Sequence, residues 1–221
     1  MDEALEKVLI NVTLWAQLAP LAPLIVGMVR YKKCSSAQQF FTWFLLFVGL
    51  NQLVATIISD VYLKPNLPLY HLYILIEGVC IFILYSKRFK HLQWVNENMR
   101  WVIGGYALMV LINGFFVQGI FVIPNWSRSL ESILVIGISI YYFNFIFKEG
   151  KIKYLDRSFW FWVSSGLLIY FSSNLMLFVF TNMLTNRNDQ LFLGVWSIHA
   201  VLNFVLYGFY TIALLCQDQE S

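Results

Sequence analysis

"NLPLYHLYILIEG", residues 66–78, sets one carboxylate, Glu77, inside a run that stays apolar through residue 86. A helix needs about 20 residues, at about 1.5 Å each, to cross the hydrocarbon of a bilayer. Residues 67–86 meet that length, and similar stretches recur along all 221 residues. The composition agrees: 59% of residues are hydrophobic, 18% aromatic and 12% charged, where a soluble domain carries about 25% charged. The prediction is an all-α polytopic membrane protein, a single domain spanning 1–221. It is a bundle of seven transmembrane helices at about 9–29, 39–60, 67–86, 101–123, 129–147, 158–182 and 191–214. The connection "SKRFKHLQWVNENMR" (86–100) reads as a short interfacial helix with Phe89, Leu92 and Met99 on one face, or as a solvated loop.

Charge supplies the orientation. The connections after spans 1, 3 and 5 hold Arg30, Lys32 and Lys33, then Lys87, Arg88, Lys90 and Arg100, then Lys148, Lys151, Lys153 and Arg157, eleven of the fifteen basic residues. Lys7, Lys64, Arg128 and Arg187 are left for the other side. The positive-inside rule then places the N-terminus outside and the C-terminus in the cytoplasm. The formal charge of +3 is thus a topology signal and no mark of nucleic-acid binding. "MDEALEKVLI" lacks the basic region of a signal peptide, so the first span is expected to stay in the mature protein. Cys34, Cys80 and Cys216 avoid the oxidising side, and no disulfide or metal cluster is expected of them. The wealth of Phe, Ile, Lys and Asn points to a bacterial inner (cytoplasmic) membrane.

A shift of 122 residues lays "EGVCIFILY" (77–85) over "HAVLNFVLY" (199–207), and a slip of one brings Asn51 over Asn174. This suggests a 3+1+3 duplication, with two parallel halves related by an axis along the membrane normal. Glu77 would then face His199 across the bundle centre.

A charge at mid-bilayer costs about 3 kcal/mol on insertion scales and turns inward. Tyr70 and Tyr73 share the helical face of Glu77, and burial there favours its neutral form unless a cation answers it. In span 7, His199 and Asn203 stand at i and i+4, with Trp196 a turn earlier. The plain alternative for each is a structural side chain satisfied by neighbouring helices, since membrane amides commonly join helices. Most neutral polar groups lie at or outside the midplane, with Asp60 and Glu131 rimming the outer face, which argues for an outward-opening cavity. Glu77, His199, Asn203, Asn51, Asn174, Tyr70, Tyr73 and Trp196 are its candidate ligand-binding residues, and Glu77 and His199 are candidates for a proton relay. Pro20 and Pro23 in "LAPLAP" (18–23) are a packing kink or a gating hinge.

Span 7 lacks the lysine of a retinal protein. His71, His199 and Glu77 supply the ligand types for a zinc hydrolase, but nothing in their spacing demands one. Enzymatic activity stays open, a binding role is favoured, and no cofactor is expected. The duplication and the Asn51/Asn174 pair resemble the plan of PQ-loop and SWEET-type transporters, although span 5 lacks that family's proline. "YHLYILIE" (70–77), "YFSSNLMLF" (170–178) and "IHAVLNFVLY" (198–207) resemble small uncharacterised seven-helix proteins of bacterial inner membranes. Such proteins are encoded beside sensor kinases, so the resemblance implies signalling through a cytoplasmic or membrane partner. The expected function is a sensor-like or receptor-like membrane protein binding a small polar ligand or a proton. A small-solute or proton-coupled transporter is second, and a zinc-dependent membrane hydrolase third.

Overall fold

The computed structural model describes residues 3–149, 154–185 and 189–216, with side chains over 7–148, 154–177 and 193–216. Among these residues there are eight α-helices and no strands. They are α1 (Glu3–Ala16), α2 (Leu21–Arg30), α3 (Ser36–Thr56), α4 (Leu67–Arg88), α5 (Gln93–Ile112), α6 (Asn125–Glu149), α7 (Phe159–Thr185) and α8 (Asp189–Leu215). Helices are the expected answer to this composition, because backbone groups in hydrocarbon must find partners within their own segment.

Among the described residues six segments are long and apolar enough to cross a membrane, the mark of an integral membrane protein: Lys7–Lys33, Ser36–Val61, Leu67–Arg88, Gln93–Val117, Asn125–Lys148 and Leu193–Leu215. Expected spans 1 to 5 and 7 fall on these, and expected span 6 falls on α7, which is not among the six. Large apolar side chains such as Leu50, Leu108, Phe115, Ile133 and Phe204 are exposed on the bundle's outside. Trp94 and Trp101 are exposed at the basic end, as are Trp126 and Tyr62 at the other, the placement of interfacial aromatic belts.

The first span is two helices. Gln17, Leu18, Ala19 and Leu21 donate to carbonyls three residues back, at 3.0–3.2 Å, where α1 stops and α2 has not begun. Pro20 immediately precedes α2 and Pro23 lies in its first turn, where a helix needs no donor from them. The prolines therefore start a helix and do not kink one. Over 86–100, where a short interfacial helix or a solvated loop is expected, α4 runs to Arg88, a turn follows at 89–92 and α5 begins at Gln93. Phe89, Val95 and Met99 are buried there. Ser35 caps α3 in a capping box with Gln38. Both α3 and α5 end in π-helical turns, Ile57–Val61 and Asn113–Val117.

The α1/α2 span, α3, α4, α6, α7 and α8 pack in that order, and α8 returns to α1 and α2 to close a ring. Helix α5 lies outside it, chiefly against α4. Close approach relies on small residues: a Cβ on Gly166 of α7 would stand 2.8 Å from Phe209 Cβ of α8, and one on Gly78 of α4 would stand 2.4 Å from the Tyr106 hydroxyl of α5. The basic half of the ring is filled by aromatic rings. Phe41 meets Tyr210 at 4.8 Å and Phe159 at 5.7 Å, and Tyr85 lies 6.2 Å from Trp160. The Tyr85 hydroxyl is satisfied by Ser164 at 2.8 Å and Ser139 at 3.2 Å. The opposite half is left less filled.

Candidate functional site

Glu77 is buried, and its partner is a cation that the sequence seemed to place outside. Tyr73, one turn earlier on α4, donates its hydroxyl to Glu77 Oε1 at 2.8 Å. Arg128 Nη1 donates to Glu77 Oε2. The same Nη1 reaches Glu131 Oε2 at 2.6 Å, and Nη2 reaches the Tyr170 hydroxyl of α7 at 3.2 Å. Rings of Phe171, Tyr73 and Tyr170 stack around the guanidinium at 5.1–5.9 Å. Arg128 and Glu77 are each 2% exposed and Glu131 is fully enclosed. This corrects two expectations: Arg128 is not a residue of the outer connection, and Glu131 does not rim the outer face. Both belong to the first turns of α6, which starts at Asn125, four residues before the expected span. The overlooked signal was the spacing in "RSLE" (128–131), where an i,i+3 pair of opposite charge marks one helical face.

His199 is not the direct partner of Glu77. His199 Nδ1 meets Asn174 Oδ1 at 2.8 Å, and Asn174 Nδ2 donates to the Tyr170 carbonyl at 2.8 Å. A carbonyl only accepts, so the amide nitrogen must face Tyr170 and the amide oxygen must face the imidazole. His199 therefore carries a proton on Nδ1. Its ring lies 5.8 Å from that of Tyr170 and 5.4 Å from that of Trp196. Asn203 Nδ2 donates to the His199 carbonyl at 3.1 Å. Glu77 and His199 are thus connected through Arg128 and Tyr170, at the centre of the ring.

These groups surround a cavity of about 450 Å³ in the half of the bundle away from the basic loops. Of the expected site residues, Asn51, Tyr70, Tyr73, Trp196, His199 and Asn203 line it. Glu77 and Asn174 stand behind the wall, holding Arg128 and His199, which line it with Tyr170. Gln17, Gln52, Asn66 and Tyr207 add further polar groups. Pro20 lines the cavity at the α1/α2 break, whereas Pro23 is buried against the bundle. The volume suits a small organic molecule. The lining offers one guanidinium face, one imidazole, several amides and phenolic hydroxyls, which is a hydrogen-bonding surface with little geometry for chemistry.

The zinc ligand set does not assemble. His71 Nε2 pairs with the Val122 carbonyl at 3.0 Å, while His199 is held by Asn174 and Glu77 by Arg128. Among the described residues no group of three His, Cys, Asp or Glu could hold a metal ion.

At the basic end, Arg30 Nη1 donates to the carbonyls of Leu214 (2.9 Å) and Leu215. Gln38 Nε2 reaches the Cys216 carbonyl at 2.9 Å. These side chains satisfy the last carbonyls of α8, which have no partner within the helix. Burial pushes the Cys216 thiol up from its ordinary range, with Asp156 adding and Arg30 opposing. Burial likewise raises Cys34, against a lowering by Arg30. Comparison of the chain with models of protein families, with curated proteins and with solved structures finds no match.

Proposed function

We propose that the protein is a receptor-like or sensor-like membrane protein that holds a small polar ligand in the cavity around Arg128 and His199. The observation that carries this reading is the convergence of polar side chains from every member of the ring on one cavity. A structural role alone would leave the space between such groups filled, whereas these border a common cavity. The aromatic packing of the basic half supports binding over passage, because it closes the cavity on that side.

In this reading the chain spans a bacterial inner membrane seven times, with α7 as the sixth span, the N-terminus outside and the C-terminus in the cytoplasm. The cavity then faces outward and the basic loops face a cytoplasmic or membrane signalling partner. The 3+1+3 duplication is part of the proposal. The ring order and the outlying α5 support it, since a two-fold relation between the first and last three spans preserves that order and leaves span 4 outside. Kinship with small inner-membrane proteins encoded beside sensor kinases, or with the PQ-loop plan, rests on the sequence motifs alone.

Trp196 on the cavity wall gives a direct assay. A panel of small polar metabolites, amino acids, amines and carboxylates among them, is titrated against tryptophan fluorescence and thermal stability of the purified protein. A binder whose affinity falls at least tenfold in Asn203→Ala and Asn51→Ala supports the site. A panel that binds equally to the wild type and both variants sinks it.

Transport is the second reading, favoured by the α1/α2 break, where Pro20 puts a natural hinge in the cavity wall. Solute accumulation in proteoliposomes, abolished by Glu77→Gln, would favour it over a pure sensor.

A further inference from the structure

The triad of Arg128, Glu77 and Glu131 does not balance. Two carboxyls share one guanidinium, and both contact the same Nη1. With both ionised, the enclosed cluster would carry one uncompensated negative charge at a depth where unpaired charge is strongly disfavoured. The two acids are also unequally solvated by the protein. Each oxygen of Glu77 has a donor, Tyr73 on one and Arg128 on the other. Glu131 has Arg128 on Oε2, but among the described residues no donor reaches Oε1.

The neighbour of Glu131 settles the direction in which a hydrogen bond can form. The Tyr106 hydroxyl, from α5, interacts with this carboxyl, yet its proton is already given to the Ile74 carbonyl at 2.8 Å. A phenolic oxygen has one proton to donate and lone pairs left to accept with. Towards Glu131, Tyr106 can only accept. An ionised Glu131 would leave Oε1 buried without a donor, which a neutral acid tolerates better than a carboxylate.

We propose that Glu131 is a proton-binding site: at neutral pH it is a carboxylic acid with the Tyr106 hydroxyl as its neighbour, while Glu77 is the anion paired with Arg128. One proton brings the triad to neutrality. The groups facing Glu131 are Arg128 on its own helix, Glu77 and Tyr70 on α4, Tyr106 on α5 and, beyond the guanidinium, Tyr170 on α7. Gly78 is part of the arrangement, because any larger residue there would displace the Tyr106 hydroxyl. The proposal deepens the cavity reading by naming the group that titrates beside Arg128. Its test uses no ligand, so it stands or falls apart from the identity of any bound molecule.

The test is infrared spectroscopy of the full-length protein in lipid vesicles at pH 7. An un-ionised carboxyl absorbs apart from carboxylates and moves to lower frequency in D2O. The wild type should show this band, and Glu131→Gln should lose it while folding normally, since the amide resembles the neutral acid. Tyr106→Phe should keep the band but shift it, having lost the hydroxyl beside the carboxyl. Glu77→Gln should remove it, because Glu131 must then ionise to answer Arg128. Absence of the band in the wild type, its survival in Glu131→Gln, or its persistence unchanged in Glu77→Gln would each overturn the assignment. Should Glu131→Gln fail to fold, Tyr106→Phe decides: an unshifted band refutes the proposal.

Discussion

Replacing Arg128 by methionine keeps most of the side-chain volume and removes the guanidinium that answers two buried carboxyls. Glu77 is then an anion with one tyrosine donor and no cation, at 2% exposure. Orphaning a buried charge costs about 3–5 kcal/mol. Glu77→Gln is a smaller injury, because Arg128 keeps Glu131 at 2.6 Å as a counter-ion. What disappears is one hydrogen bond between charged groups, worth about 1.5–3 kcal/mol. For a chain of this size about 1 kcal/mol moves a melting temperature by about 2–4 °C. The melting temperature should therefore fall by roughly 6–20 °C in Arg128→Met and by roughly 3–12 °C in Glu77→Gln. The double variant is the sharper case. With neither charge present nothing is orphaned, so it should melt above Arg128→Met alone, and the costs should be far from additive. The assay is thermal unfolding in detergent, followed by circular dichroism and tryptophan fluorescence. Additive losses in the double variant, or an Arg128→Met protein as stable as wild type, would refute the account of the buried ion pair.

Gly78→Ala would drive a Cβ into the Tyr106 ring and hydroxyl, and overpacking of this kind costs about 1–3 kcal/mol. Tyr106→Leu in the same chain should recover part of that loss, and no recovery in a melting experiment would count against the notch. Asn174→Ala frees His199 Nδ1, at about 1 kcal/mol for the lost bond. Nitrogen NMR of the imidazole should change from a single Nδ1-protonated form to a mixture, and an unaltered spectrum would contradict the assigned tautomer. Cys216 and Cys34 react as thiolates, and burial raises both thiols. At pH 7 their maleimide alkylation should therefore be several times slower than that of glutathione and should accelerate as pH rises through the raised value. Equal rates would contradict this. In inner-membrane vesicles an impermeant maleimide should reach both thiols only from the cytoplasmic face, and labelling from the outer face would reverse the proposed orientation.

The apolar lengths were legible because the bilayer imposes one simple requirement, enough turns of helix to cross it. Where each helix begins and ends was less so. Pro20 and Pro23 stand out in the sequence, but whether they bend a helix or start one depends on the turn of backbone before them. The π-turns after α3 and α5 left no trace in residue pattern. At the site, Glu77, His199, Asn174 and Asn203 were recognisable as polar groups in apolar surroundings. Their pairing was not, since it is set by which faces of α4, α6, α7 and α8 meet. Arg128 escaped because arginine near the end of an apolar run reads as the membrane boundary. A buried acid with no matching base was itself the clue that one such boundary residue belonged inside. Helices α7 and α8 close up at Gly166 against Phe209, and a glycine in an apolar run does not announce which helix it admits.

Helix α8 is 27 residues long, about 40 Å of continuous helix. It carries His199 and Asn203 on the cavity wall and ends in carbonyls gripped by Arg30 and Gln38. A stiff helix that turns as a unit moves at both ends. A rigid-body rotation of α8 that repositioned the imidazole would also move the carbonyls held by Arg30 and Gln38, beside the basic loops. The far carbonyls of α8 are in this sense the bundle's mechanical terminal, wired to its polar interior by nothing more than an unbroken helix.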